Sequence, residues 1–144
     1  MARPRWHILT TTPLAAVLWR RWGGPAALGA VAGGVLIDVD HLIDYAWTRA
    51  KGEKSHYLAP FHGWEVAVAL TLFAGRSRAV AGLAAGVWLH LVVDVIGNRP
   101  KHPGVYSLLY RARHGFRREA TGWTVEKGFH FWSELPWYRW WQAI

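Results

Sequence analysis

Apolar residues in this chain gather into four blocks, each closed by glycine, proline or arginine. That spacing predicts helices, and strand signals are weak throughout. Thr10-Thr11-Thr12-Pro13 reads as an N-cap followed by a first-turn proline, predicting a short helix to about Trp22. Gly23-Gly24 ends it, and Pro25 opens a second helix from Ala26 to about His41, where Gly29, Gly33 and Gly34 favour close helix packing. Residues 42–59 turn polar, with Arg49, Lys51, Glu53 and Lys54, and predict a connecting excursion. Pro60 starts a third helix, Phe61 to Ala74. Gly75-Arg76-Ser77-Arg78 makes a tight turn, with Ser77 capping a fourth helix from Ala79 to Ile96. Gly97-Asn98-Arg99-Pro100 stops it; a short amphipathic helix around Tyr106–Arg113 and an aromatic tail from Gly122 follow.

The expected fold is all-α: a small membrane-embedded bundle of about four main helices plus short amphipathic helices. It forms one domain over 1–144, with a core of 12–98 and an amphipathic, aromatic C-terminal segment of 104–144. Ala79–Gly97 is the best spanning candidate by length. Phe129, Phe131, Trp132, Trp137, Tyr138, Trp140 and Trp141 have the character of an interfacial anchor. An apolar share of 52% with 11 Trp favours embedding over a soluble helical domain with an aromatic core. The start is basic (Arg3, Arg5), but three Thr and a Pro interrupt Ile8–Trp19 and no small-residue cleavage site follows, so it reads as mature protein.

Charge and cysteine count narrow the chemistry. A net charge of +8 points to anionic partners, but the arginines sit at the ends of apolar runs, which argues against nucleic acid and for membrane lipid. Arg49, Lys51, Lys54, Arg99, Lys101, Arg111 and Arg113 outnumber the basic residues at the other end, placing the 38–41 end of the bundle in the cytoplasm. With no Cys, any metal must be held by His, Asp and Glu.

His90 and Asp94, in Trp88-Leu89-His90-Leu91-Val92-Val93-Asp94, share one face of an otherwise greasy helix. An Asp there costs about 2.5–3.5 kcal/mol on insertion scales, against about 0.3–0.6 returned by each Leu or Val, so the carboxylate calls for a partner. The pairing of acid with imidazole recurs at Asp38/Asp40/His41 and at His62/Glu65, and three such pairs suggest a metal site. If the helices alternate in direction, Glu65, eleven residues before Arg76, and His90, twelve after Arg78, reach one height at about 1.5 Å per residue; Asp38 falls in the same band. A straight helix through Leu42–Ala50 would carry the chain too far for His62 to meet Asp38, so a bend soon after His41 is expected. Asp38 and His41 share a face, whereas Asp40 points elsewhere and suits a role behind the ligands. Each pair also has a plainer reading: solvated acids at a helix end for 38–41, a capping acid for Glu65, a salt bridge for His90/Asp94. His102, and His130 with Glu134, are further candidates; His7, His56 and His114 read as surface histidines.

Asp-x-Asp-His after a Gly-rich apolar helix, a His-bearing helix start, and His-Leu-Val-Val-Asp in a later apolar helix together resemble the membrane-bound metal-dependent hydrolase family of bacterial inner-membrane proteins. The likeness spans roughly residues 25–98, and the His-x-x-x-Asp element is also similar to that of zinc-dependent phospholipase C. The resemblance implies metal ligands at Asp38, His41, His62, His90 and Asp94. The chain departs from the family at Ile37, where members usually carry Pro, and at Phe61-His62-Gly63-Trp64-Glu65, where they carry a His-Arg…Thr-His-Ser stretch. Mixed imidazole and carboxylate ligation suits Zn²⁺, with Mn²⁺ or Fe²⁺ as alternatives. The expected function is a metal-dependent hydrolase in the bacterial inner membrane, acting on an anionic phosphoester or lipid-like substrate, with Asp40 or Glu65 as general base. The Arg-rich segment 99–118 would steer that substrate. The alternative is a non-catalytic membrane scaffold with a structural metal or a buried ion-pair network.

Overall fold

Thr10, Thr11 and Thr12 do not start a helix; they lie in the middle of one. The computed structural model describes residues 4–51, 56–98 and 102–119, and its first element, α1, runs Pro4–Trp22 with Pro13 inside it. Proline takes the donor away from the carbonyl four residues back. The threonine hydroxyls bond back along the same stretch, Thr10 Oγ1 to Trp6 O at 2.7 Å and Thr12 Oγ1 to Ile8 O at 2.8 Å, and the helix carries on. Residues 4–9, expected to precede the helix, therefore join the bundle.

After α1 come α2 (Gly24–Gly34), a 3-10 turn (Leu36–Asp40), α3 (His41–Lys51), α4 (Trp64–Phe73), a 3-10 turn (Ala74–Arg76), α5 (Arg78–Asn98), a third 3-10 turn (Pro103–Tyr106) and α6 (Leu108–Arg113). The described residues contain no strand, only an isolated bridge between His56 and Arg117. The all-helical bundle is as expected. The bend is present too, but earlier than expected: the helix breaks at Val35 (φ −128°, ψ −46°), and the chain on either side differs in direction by 45°. The break swings Asp38 and Asp40 out of the α2 direction, and residues 42–51, expected as part of a connecting excursion, lie in α3. The third helix starts at Trp64, leaving His62 in the preceding loop. Ser77 caps α5 as expected, accepting from Val80 N at 3.1 Å.

Glycine sets the spacing of α2 and α5. A Cβ on Gly29 or Gly33 would run into backbone of α5, and one on Gly82 or Gly86 into backbone of α2. The two helices touch along their main chains, as small-xxx-small pairs allow. Leu18 of α1 packs on Ala26 and Ala30 of α2, while Val87 and Leu91 of α5 pack with Ile37, Ala67, Val105 and Tyr106. Large apolar side chains also face outward, including Leu9, Trp19, Leu28, Leu72 and Ile96. Among the described residues α5 is the one helix long and apolar enough by itself to cross a membrane; α2 and the bent segment after it pass the same test as a pair. The tail from residue 120 on, with its aromatic residues, His130 and Glu134, lies outside the described residues.

Candidate metal centre

Three backbone segments that end or bend at one level supply the cluster, and a fourth helix adds to it. Asp38 comes from the 3-10 turn, His41 from the start of α3, His62 from the loop before α4, and His90 and Asp94 from α5. Asp38 Oδ1 lies 3.1 Å from His62 Nε2, 3.4 Å from His90 Nε2 and 3.7 Å from His41 Nε2. The two nitrogens His62 Nε2 and His90 Nε2 are 3.0 Å apart, and each is 3.9 Å from Asp94 Oδ2. All five residues that the resemblance implies as ligands are thus brought together.

The outer nitrogens of the two central imidazoles decide what the inner ones can do. His90 Nδ1 is 3.1 Å from the carbonyl of Gly34, which can only accept, so Nδ1 carries the proton. His62 Nδ1 faces both oxygens of buried Asp40 at 3.0 and 3.1 Å and donates there. A ring that carries only this one proton keeps a lone pair on Nε2 for a metal. Two such nitrogens and a carboxylate oxygen converge at 3.0–3.4 Å, an arrangement that repels itself unless a proton or metal cations lie among them. Ligands at about 2.0–2.2 Å from a tetrahedral zinc sit about 3.3 Å from one another, so the donors present fit such an ion. Electrostatics agree. Burial opposes charge on His62, but hydrogen bonds with Asp38 and Asp40, and the charges of Asp40 and Asp94, push its pKa up to about 10. The field that holds a proton there would hold a metal cation as well.

Both residues expected to serve as general base are committed elsewhere. Asp40 accepts from the Phe61 amide at 2.7 Å as well as orienting His62, the position behind the ligands rather than one open to substrate. Glu65 turns away from the cluster: its carboxylate accepts from Ser107 Oγ at 2.6 Å, Leu108 N at 2.9 Å and Leu109 N at 3.2 Å. Partial burial raises its pKa, these bonds lower it more, and the carboxyl sits below its ordinary value. Glu65 does cap a helix, but the helix is α6, brought to it by the fold.

His7, expected at the surface, is buried in the cluster. Its ring stacks on His90 with centroids 3.8 Å apart and planes at 10°, and Nε2 lies 3.4 Å from Asp94 Oδ1. A sequence signal for this exists: His7 and Thr11 stand one turn apart, but reading Thr10–Pro13 as a helix start puts His7 outside the helix. Asp44 is a second residue that the sequence reading misses, three residues after His41 in Asp-x-Asp-His-x-x-Asp. It is buried, accepts from Leu58 N at 2.6 Å and approaches His41 Nδ1 at 3.7 Å.

Arg111, expected to steer substrate, is fully buried instead. It lies over the Tyr57 ring at 4.8 Å and donates to the carbonyls of Leu58 (2.8 Å), Ala59 (3.2 Å) and His62 (2.8 Å). Arg118 is buried too, donating to His56 O at 2.7 Å, so neither meets an incoming anion. The loop that delivers His62 is thereby held by Asp40, Asp44 and Arg111 at once. His102 lies outside the cluster, accepting from Gly104 N at 3.0 Å and stacking on Tyr110. His114 is exposed, as expected, and His56 is half-buried near Trp47.

Comparison of the chain with family models, with curated proteins and with solved structures gives no match. The class that fold and site define is therefore a helical bundle carrying a His/Asp cluster able to hold a metal ion.

Proposed function

We propose that this protein is a membrane-embedded, metal-dependent hydrolase of phosphoester or lipid-like substrates. The observation that carries the reading is the convergence of His62 Nε2, His90 Nε2 and Asp38 Oδ1, with both rings oriented from behind by Gly34 O and Asp40. Zn²⁺ suits these donors best. When bound, such an ion polarises a phosphoryl oxygen and lowers the pKa of water. The chain's own residues hold and orient: Asp40 fixes His62, Asp44 backs His41, and Arg111 keeps the loop in place. Asp38 and His41, with side chains 15% and 10% exposed, form the edge nearest solvent, where a substrate would enter.

Two observations support an amphiphilic substrate at a bilayer. A cleft of about 300 Å³ is lined only by apolar residues, among them Ile37, Val39, Phe61 and Val87. Ile37 and Val39 flank Asp38, and Phe61 precedes His62, so an apolar tail could lie beside the cluster. The outward-facing apolar residues and the length of α5 support embedding, with the basic end in the cytoplasm.

The test is turnover by detergent-purified protein of a chromogenic phosphodiester, a phosphomonoester and a phospholipid. Activity lost on chelation, restored by Zn²⁺, Mn²⁺ or Fe²⁺, and absent from His62→Ala and Asp38→Ala, is expected. Activity indifferent to chelator and to both substitutions would defeat the reading; tightly bound metal without turnover on any of the three would favour the scaffold alternative.

A further inference from the structure

The cluster holds more donors than one zinc can use. A structural zinc takes four protein ligands and a catalytic one three, with a position left open. Here four imidazoles and two carboxylates converge in three overlapping groups. One group whose donor atoms lie within 4.8 Å of one another is Asp38, His41 and His62; another is His7, Asp38 and His90; a third is His62, His90 and Asp94. Asp38 is shared by the first two, which between them use each of the four imidazoles once; the third would leave His7 and His41 without an ion. In that division each imidazole serves one ion only, since neither His62 nor His90 has a second nitrogen to offer: both Nδ1 atoms are engaged outside the cluster.

Resting on the metal-dependent reading above, the geometry points to two metal ions per chain, with Asp38 common to both. The first is held by His41, His62 and Asp38; the second by His7, His90, Asp38 and Asp94. Asp94 belongs with the second group, since its Oδ1 is 3.4 Å from His7 Nε2. The two sites differ in kind. The first has three ligands, two of them at the solvent edge, and so keeps a position for substrate or water. The second has four, of which His7, His90 and Asp94 are buried, and is closed. Three of the four imidazoles are buried at 1% exposure or less, a desolvation cost that bound cations would offset. Two-metal hydrolytic sites clamp both the attacking and the leaving oxygen of a phosphoester, the chemistry proposed above.

Metal content of the purified chain tests this directly. The protein is stripped with chelator and titrated with Co²⁺, following the visible absorption of the bound ion; native mass spectrometry of the Zn²⁺ form supplies an independent count. Two equivalents are expected for wild type, one for His7→Gln and one for His41→Gln, and less than one for Asp38→Ala. Circular dichroism identifies any variant that has lost its helices, in which case the wild-type count alone decides. A wild-type end point at one equivalent overturns the second ion and leaves the metal-dependent reading standing; no binding at all overturns both. Folded His7→Gln retaining two equivalents removes His7 from the site and refutes the division of the donors into these two groups.

Discussion

Replacing Gly82 by Ala tests whether the contact of α2 with α5 sets the ligand geometry. A Cβ at Gly82 would lie 2.8 Å from the carbonyl carbon of Ala26 and 2.9 Å from its Cα, and closer still to its oxygen. Real Cβ contacts do not fall under 3.0 Å, and the carbonyl oxygen, the nearest atom, sets the shift, so the helices must part by at least about 1 Å. Both partners are helix backbone, which cannot rotate aside as a side chain can. Overpacking of this kind costs about 1–3 kcal/mol, and an unyielding contact belongs at the upper end. Alanine recovers about 1 kcal/mol of helix propensity, leaving a net loss of about 2 kcal/mol. The displacement also reaches the site, because α2 leads into the turn bearing Asp38 while α5 carries His90 and Asp94. Metal distances are held to about ±0.2 Å, so a shift of about 1 Å should weaken binding strongly. The assay is thermal unfolding in detergent together with metal titration. Gly75→Ala is the control, since a Cβ there meets nothing within 4 Å. Equal stability and equal metal affinity in Gly82→Ala and Gly75→Ala would show that the helix contact does not govern the site.

Other outcomes follow from single contacts. Arg111→Met leaves three carbonyls without their donor, at about 1–3 kcal/mol for each that finds no substitute; unfolding should come several degrees earlier, and metal affinity should fall because His62 loses its support. Asp40→Asn keeps the size of the side chain but removes the charge that orients His62, and a metal titration should show affinity lower by about 10–100-fold. Glu65→Gln should leave metal content and turnover intact while weakening the docking of α6 by about 1–3 kcal/mol, read by denaturant unfolding. Because the folded-state pKa of Glu65 is depressed, its contribution is present above the ordinary value of 4.5 and lost as pH falls through the lower folded value. The wild type should therefore lose stability over that acid range more steeply than Glu65→Gln. Chelation should lower the unfolding temperature of wild type and leave that of His62→Ala nearly unchanged, since an ion bound only by the folded state stabilises it by mass action.

Much of the helical layout is legible along the chain, because helix blocks and their stops depend on local chemistry. Ser77 caps α5, Gly23 separates α1 from α2, and the short helix expected around Tyr106–Arg113 is present as α6. His90 and Asp94 stand out for a related reason: two ionisable groups one turn apart on an apolar helix require partners wherever that helix lies. Where local signals point both ways, the reading fails. Threonines followed by proline mark a helix start as well as they mark a helix interior with back-bonded hydroxyls, and the choice decides whether His7 is inside or outside.

Local chemistry along the chain suffices for an all-helical protein, for the segments that carry acids and imidazoles, and for the need of those groups for charge partners. Which groups meet is a matter of how the helices pack. Asp40 turned from candidate base to support for His62 because the break at Val35 placed it against the 61–62 loop, and Glu65 went to α6 because that helix docks over it. Arg111 became a strut for the same loop, and His7 joined the cluster through the packing of α1 on α2 and α5. Helix capping and periodicity act over a few neighbouring residues and can be read in order. The direction of a side chain at a centre shared by four segments depends on how helices far apart in the chain cross, and that is fixed by packing.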